Sequence, residues 1–180
     1  ILTLESSKTN DQVKNEYSEW DDESLGKINI KVFGIGGAGC NVVECMAKSH
    51  QWSSNVKLYA LNTDVNSLRR IYKSGLDVDC IILGKAACKG RGTGGDVELG
   101  KQIASDQLES FKKSLEGADL VFFIAGLGKG TGSSVTPIFS HAAKEMGICT
   151  VNIVTLPSIQ AEGDAIYDKS LASYQEIVDA

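Results

Sequence analysis

The stretch Asp119 to Ala125 (DLVFFIA), followed at once by the glycine-rich run Gly126 to Gly132, limits the fold more than any other part of the chain. Residues this apolar suit a strand covered on both faces, as in a parallel sheet. The glycines then stop the strand at its carboxyl end. Leu120 to Ala125 is also the longest apolar run, far short of the roughly 20 residues a spanning helix needs, so no direct membrane insertion is expected.

Around this strand the pattern alternates. Ile28 to Ile35, Val56 to Asn62, Cys80 to Leu83 and Ile148 to Thr155 read as further strands. Helices are predicted from Gly39 to Ser49, after Asp64 with Leu68, Ile71 and Tyr72 on its apolar face, and from Gly163 to Val178. One long helix is predicted from Asp96, with Leu99, Ile103, Leu108, Phe111 and Leu115 on a single face. Another carries Val135, Ile138, Phe139, Ala142 and Met146, with Pro137 expected in its first turn. Alternation of this kind implies an α/β fold: a Rossmann-like parallel sheet with helices on both faces and right-handed crossovers. Ligands on such sheets bind at the carboxyl ends of the strands.

Composition removes several classes. The 180 residues carry a net charge of −5. Residues 1–27 hold seven acids and three lysines, and read as a mobile acidic arm. The body from residue 28 to 180 is nearly neutral and offers no basic surplus for nucleic acid. Five cysteines without a C-x-x-C, and only His50 and His141 beside them, argue against a zinc site and for reduced thiols in the cytoplasm. Neither histidine has a Ser–Asp or Cys partner pattern for nucleophilic catalysis.

Four segments carry chemistry. Gly34-Ile35-Gly36-Gly37-Ala38-Gly39 satisfies G-x-G-x-x-G between a strand and a helix, where backbone N–H groups and the helix dipole favour phosphate. With Asp64 at the end of the second strand as a ribose-binding acid, this motif alone reads as NAD-binding, the mark of a Rossmann oxidoreductase. The bland alternative is close helix–strand packing. Ala125 to Ser134 (AGLGKGTGSS) alternates glycines after a buried strand and can form a nest of N–H donors, with Thr131 and Ser133 adding hydroxyls. It is not a P-loop. A second phosphate nest is surplus to a dinucleotide fold and weighs against NAD. Lys89 to Asp96 (KGRGTGGD) reads as a flexible lid or a terminal-phosphate sensor. Thr155 to Gly163 brings Glu162, either a ribose acceptor or a helix N-terminal acid.

These segments together resemble the tubulin/FtsZ family. GLGKGTGSS is similar to the family's GGGTGTG signature, GGAGCN (Gly36 to Asn41) to its first phosphate loop, and ALNTD (Ala60 to Asp64) to its second. KGRGTGGD is similar to its γ-phosphate loop, and VTLPSIQAEG to the stretch ending in its ribose-binding Glu. The resemblance spans residues 28–180. It implies a GTPase that assembles head to tail into filaments, forms the division ring, and meets membrane-tethering and regulatory division proteins. It implies GTP or GDP with Mg²⁺ as cofactors. It assigns GTP contacts to Gly36, Gly37, Ala38, Gly39, Cys40, Asn41 (near the base), Asp64, Gly92, Thr93, Gly94, Gly126, Gly128, Lys129, Gly130, Thr131, Gly132 and Glu162. Three positions depart from the pattern. Lys129 and Ser134 stand where the signature has glycines, and Ile166 where the family has an arginine. The resemblance also implies a GTP-binding domain that stops before a sixth strand. The family's catalytic aspartates, which act on the neighbouring subunit's nucleotide, would lie beyond residue 180. That expectation gives a chain that binds nucleotide and hydrolyses little alone.

Overall fold

A computed structural model describes residues 26–49 and 51–179 of the chain. The acidic arm and His50 therefore lie outside the described residues, apart from the arm's last two positions. Five parallel strands, β1 (Ile30–Ile35), β2 (Val56–Asn62), β3 (Asp79–Ile82), β4 (Leu120–Gly126) and β5 (Cys149–Thr155), form one sheet in the order β3-β2-β1-β4-β5. Between them run α1 (Gly36–Ser49), α2 (Val65–Lys73), α3 (Lys85–Cys88), α4 (Val97–Asp106), α5 (Leu108–Leu115) and α6 (Gly130–Glu145), with α7 (Ile159–Glu162) and α8 (Asp164–Asp179) after β5. The expected α/β architecture is borne out.

The period of two along the strands divides the core between two faces. Phe33, Tyr59 and Phe123 point one way, where Phe111 of α5 and Phe139 of α6 meet them. The Phe111 and Phe139 rings stack with centroids 3.7 Å apart. Val32, Leu58 and Ile124 point the other way onto Val43 of α1. At the β5 edge this second face runs out, and Val151 and Ile153 are 37% and 49% exposed.

Several boundaries differ from the sequence reading. The long helix after Asp96 is two helices, because Gln107 leaves helical geometry (φ −104°, ψ 5°). Its Oε1 accepts the Gly84 N–H at 2.6 Å. Tyr72, placed by period on the apolar face of α2, is 78% exposed. Pro137 is the eighth residue of α6, not part of a first turn, because the glycine nest itself winds into the start of that helix. Glycine, serine and threonine disfavour helix, so propensity hid a start that packing imposes.

Candidate functional site

The strand order reverses between β1 and β4, and Ile35 lies in register beside Ala125. The two glycine clusters that follow these strands are thus set side by side at the carboxyl edge, where such sheets hold ligands. A cleft of about 380 Å³ opens there. The β1–α1 turn gives it Gly36, Gly37 and Ala38; the β4–α6 turn gives Gly126, Leu127, Lys129, Gly130, Thr131 and Gly132. Asn62, Thr63 and Asp64 come from the end of β2, residues 92–95 from the loop between α3 and α4, and Thr155, Leu156, Pro157 and Glu162 from the segment after β5.

Close backbone approach explains the glycines. A Cβ on Gly36, whose φ of +71° already favours glycine, would lie 3.1 Å from the Gly132 nitrogen. One on Gly132 would run into the Gly126 carbonyl, and one on Gly130 into the Thr93 hydroxyl. The first motif divides its labour. Gly34 and Gly39 serve packing, since side chains there would strike the Gly39 carbonyl and the Ile124 carbonyl respectively. Gly36, Gly37 and Ala38 are left to face the cleft.

Residues 84–96, of which 92–95 line the cleft, are tied to the rest of the fold. Asp64 and Arg91 make an isolated antiparallel bridge, the Gly92 N–H reaches the Thr63 carbonyl at 3.2 Å, and Asp96 caps α4 by accepting from Leu99 N–H at 3.0 Å. Asp64 lines the cleft, but its carboxylate caps α2: Oδ1 accepts from Asn66 N–H at 2.9 Å and Oδ2 from the Ser67 hydroxyl at 2.8 Å. It does not stand ready as a dinucleotide's ribose acid. Glu162 ends α7 rather than beginning a helix, and its Oε2 lies 3.3 Å from Lys129 Nζ.

Gly39, Cys40, Asn41 and Gly128 do not line the cleft. The Cys40 thiol is packed beneath it, toward the carbonyls of Gly34 and Leu61, and burial pushes its pKa up to about 12. Asn41 Oδ1 accepts from Arg70 at 2.7 Å. Arg70 also pairs at 2.6 Å with buried Glu44, whose other oxygen takes Lys48 at 2.7 Å. The Lys48 hydrogen bond, with Arg70 beside it, outweighs burial and lowers the Glu44 pKa. Thr63 is the residue that sequence reasoning passed over. Its Oγ1 meets Thr131 Oγ1 at 2.7 Å in a buried contact that ties β2 to the start of α6. In ALNTD the available signal for Thr63 is a hydroxyl residue directly after the second strand.

Residues 29–180 match a family model described as "Tubulin/FtsZ family, GTPase domain". The chain belongs to the tubulin/FtsZ family. It is similar to cell division protein FtsZ 1 of Pyrococcus abyssi, at 39% identity over 142 residues, which cover 76% of this chain and 37% of that protein. It is also similar to cell division protein FtsZ of Aquifex aeolicus, at 38% identity over 157 residues, 87% of this chain and 41% of that one. Its fold matches an empty FtsZ dimer of M. jannaschii with TM-score 0.77 and 29% identity, covering 96% of this chain and 47% of that one. A GTPγS-bound protofilament of CetZ2 from Haloferax volcanii shares the fold, with TM-score 0.70, 24% identity, and 84% and 46% coverage. The chain thus spans less than half the length of these relatives.

The departures from the family pattern have local causes. Ser134 donates to the Gly130 carbonyl at 2.8 Å and is admitted because Gly100 of α4 faces it. Ile166 packs where a Cβ on Gly128 would come within 2.7 Å of its Cγ2. Lys129 has φ −111° and ψ −174°, extended backbone that any residue adopts. Among the described residues, no group of three or more His, Cys, Asp or Glu side chains could hold a metal, and no helix is long and apolar enough to cross a membrane.

Proposed function

We propose that this chain is a GTP-binding domain of the division-protein kind. Two glycine turns from adjacent strands converge on one cleft, and this observation carries the reading. N–H groups of Gly36, Gly37, Ala38, Gly130, Thr131 and Gly132 would hold phosphates, helped by the N-terminal ends of α1 and α6. Gly92, Thr93 and Gly94 would meet the terminal phosphate. Glu162 would accept from the ribose hydroxyls, and Asn41, outside the cleft lining and held by Arg70, would contact the base only by exchanging that partner, with Gly39, Cys40 and Gly128 holding these turns from beneath. Mg²⁺ commonly binds through phosphate oxygens and water rather than an all-protein cage, which suits a cleft without a carboxylate cluster. When bound, GTP supplies the labile phosphoanhydride, and the chain's share is to bind and orient it.

Both acids at the cleft are engaged, Asp64 in the α2 cap and Glu162 with Lys129. The family resemblance implies that hydrolysis is completed by a second subunit, stacked head to tail, and the engagement of both acids is consistent with that division. Relatives solved as a dimer and a protofilament support such self-association. Membrane-tethering and regulatory division proteins would act on that assembly, in the cytoplasm.

A fluorescent GTP analogue titrated into the chain with Mg²⁺, and competed with GTP, ATP and NAD, tests the reading. Displacement by GTP alone is expected. Displacement by NAD, or no binding by protein that circular dichroism shows folded, overturns it. Robust GTP turnover by the isolated chain overturns the division of catalysis between subunits.

A further inference from the structure

We propose that Lys129 makes this site discriminate nucleotides by phosphate charge, acting as a mobile cation that exchanges Glu162 for the phosphate chain. The inference rests on the guanine-nucleotide reading above and deepens it. Lys129 stands at the N-cap position of α6 without a capping hydrogen bond, at the centre of the glycine nest, on extended backbone that asks for no particular side chain. It is the one cation among the described residues that line the cleft, against the carboxylates of Asp64 and Glu162. The Asp64 carboxylate is tied into a helix cap by two hydrogen bonds, which leaves Lys129 and Glu162 as the pair able to move.

Their contact is loose. At 3.3 Å it is longer than a good charge-assisted hydrogen bond, and the lysine side chain is 75% exposed. Exposed pairs of this kind are weak. A polyanion entering the nest would meet N–H dipoles and, among the described residues that line the cleft, no second side-chain cation. The lysine would gain more from phosphate oxygens, which carry greater charge, than from one partly exposed carboxylate. Release of Glu162 by Lys129 also frees that carboxylate to accept from hydroxyl donors. One exchange therefore couples the two ends of the cleft.

The test measures binding of GTP, GDP and guanosine to the 180-residue chain and to the variants K129Q and K129R, by competition against a fluorescent GTP analogue. Circular dichroism checks that each variant is folded. K129Q is expected to weaken GTP about five- to tenfold and GDP about two- to threefold, with guanosine unchanged, while K129R keeps most of the wild-type preference. Added salt is expected to narrow the difference between the wild-type chain and K129Q. Equal changes for all three ligands would mean that Lys129 acts only by holding Glu162, and would overturn the proposal. So would no change in K129Q. Failure of the wild-type chain to bind any guanine nucleotide is a different result, because it removes the functional reading itself.

Discussion

Gly100→Ala should destabilise the chain, and the sign of the effect is the informative part. Alanine for glycine inside a helix ordinarily stabilises by about 0.5–1 kcal/mol. At Gly100 the added methyl would run into the Ser134 hydroxyl oxygen and lie 2.7 Å from the Ser134 Cβ. Ser134 has no space to yield: it is fully buried and its hydroxyl is held on Gly130 and Thr131 carbonyls at 2.8 and 3.4 Å. Forcing a methyl into a packed interface costs about 1–3 kcal/mol, so the net loss is about 1 kcal/mol, between about 0 and 2.5, after the helix gain is subtracted. Ser134→Gly removes the obstruction and should cost about 1 kcal/mol alone, through helix propensity and a lost buried hydrogen bond. The double variant should then be no less stable than Ser134→Gly, giving a coupling of about 2 kcal/mol. Urea denaturation followed by circular dichroism reads this as midpoint shifts at constant slope. A Gly100→Ala chain more stable than wild type, or additive losses in the double variant, would refute the claim that Gly100 is what admits Ser134.

Three further outcomes follow from the packing. Exposed Cys45 and Cys149 should react first with a thiol reagent at pH 8, while Cys40, buried with its pKa near 12, reacts only on unfolding; Cys40 labelling as fast as Cys45 in folded protein would contradict that packing. Glu44→Gln should cost about 1 kcal/mol at pH 7, measured by urea unfolding. Because the folded-state pKa of Glu44 is lowered, its contribution is present above the ordinary carboxylate range and lost as pH falls through the folded value, so the gap between variant and wild type should close in acid. Thr63→Val should cost about 1 kcal/mol and weaken GTP binding about threefold, since it removes the contact that fixes Thr131. Unchanged binding with the same loss of stability would make Thr63 a purely structural residue.

Much of the fold was legible because two periods dominate the sequence. Val32 and Phe33, or Phe123 and Ile124, alternate between faces as a buried strand requires. What escaped was decided by single side chains acting at a distance. Nothing near Gln107 marks a helix break, because its partner is the N–H of Gly84. Tyr72 fits the apolar stripe by period and is turned outward by the limited width of the sheet at β3. The candidate site was legible as loops but not as individual roles. The glycines of the first motif look alike in sequence, yet Gly34 and Gly39 meet backbone while Gly36 and Gly37 meet the cleft. Asp64 illustrates the opposite problem: one carboxylate fits both a helix cap and a ribose contact, and only its hydrogen bonds to Asn66 and Ser67 separate the two.

The segment from Gly84 to Asp96 has a thermodynamic consequence. It is clasped at Gly84 by Gln107, bridged at Arg91 to Asp64, bonded at Gly92 to Thr63, and closed at Asp96 by the cap of α4. Its five glycines would make a free loop costly to order on ligand arrival, at about 1 kcal/mol or more per residue fixed. Here that ordering accompanies folding of the domain. On the proposed function, a nucleotide would meet a wall held at these four points by the fold itself, so that less of its ordering would fall to binding. Association should run at the rate of ordinary diffusional encounter, with a single kinetic phase linear in ligand concentration rather than one limited by loop closure.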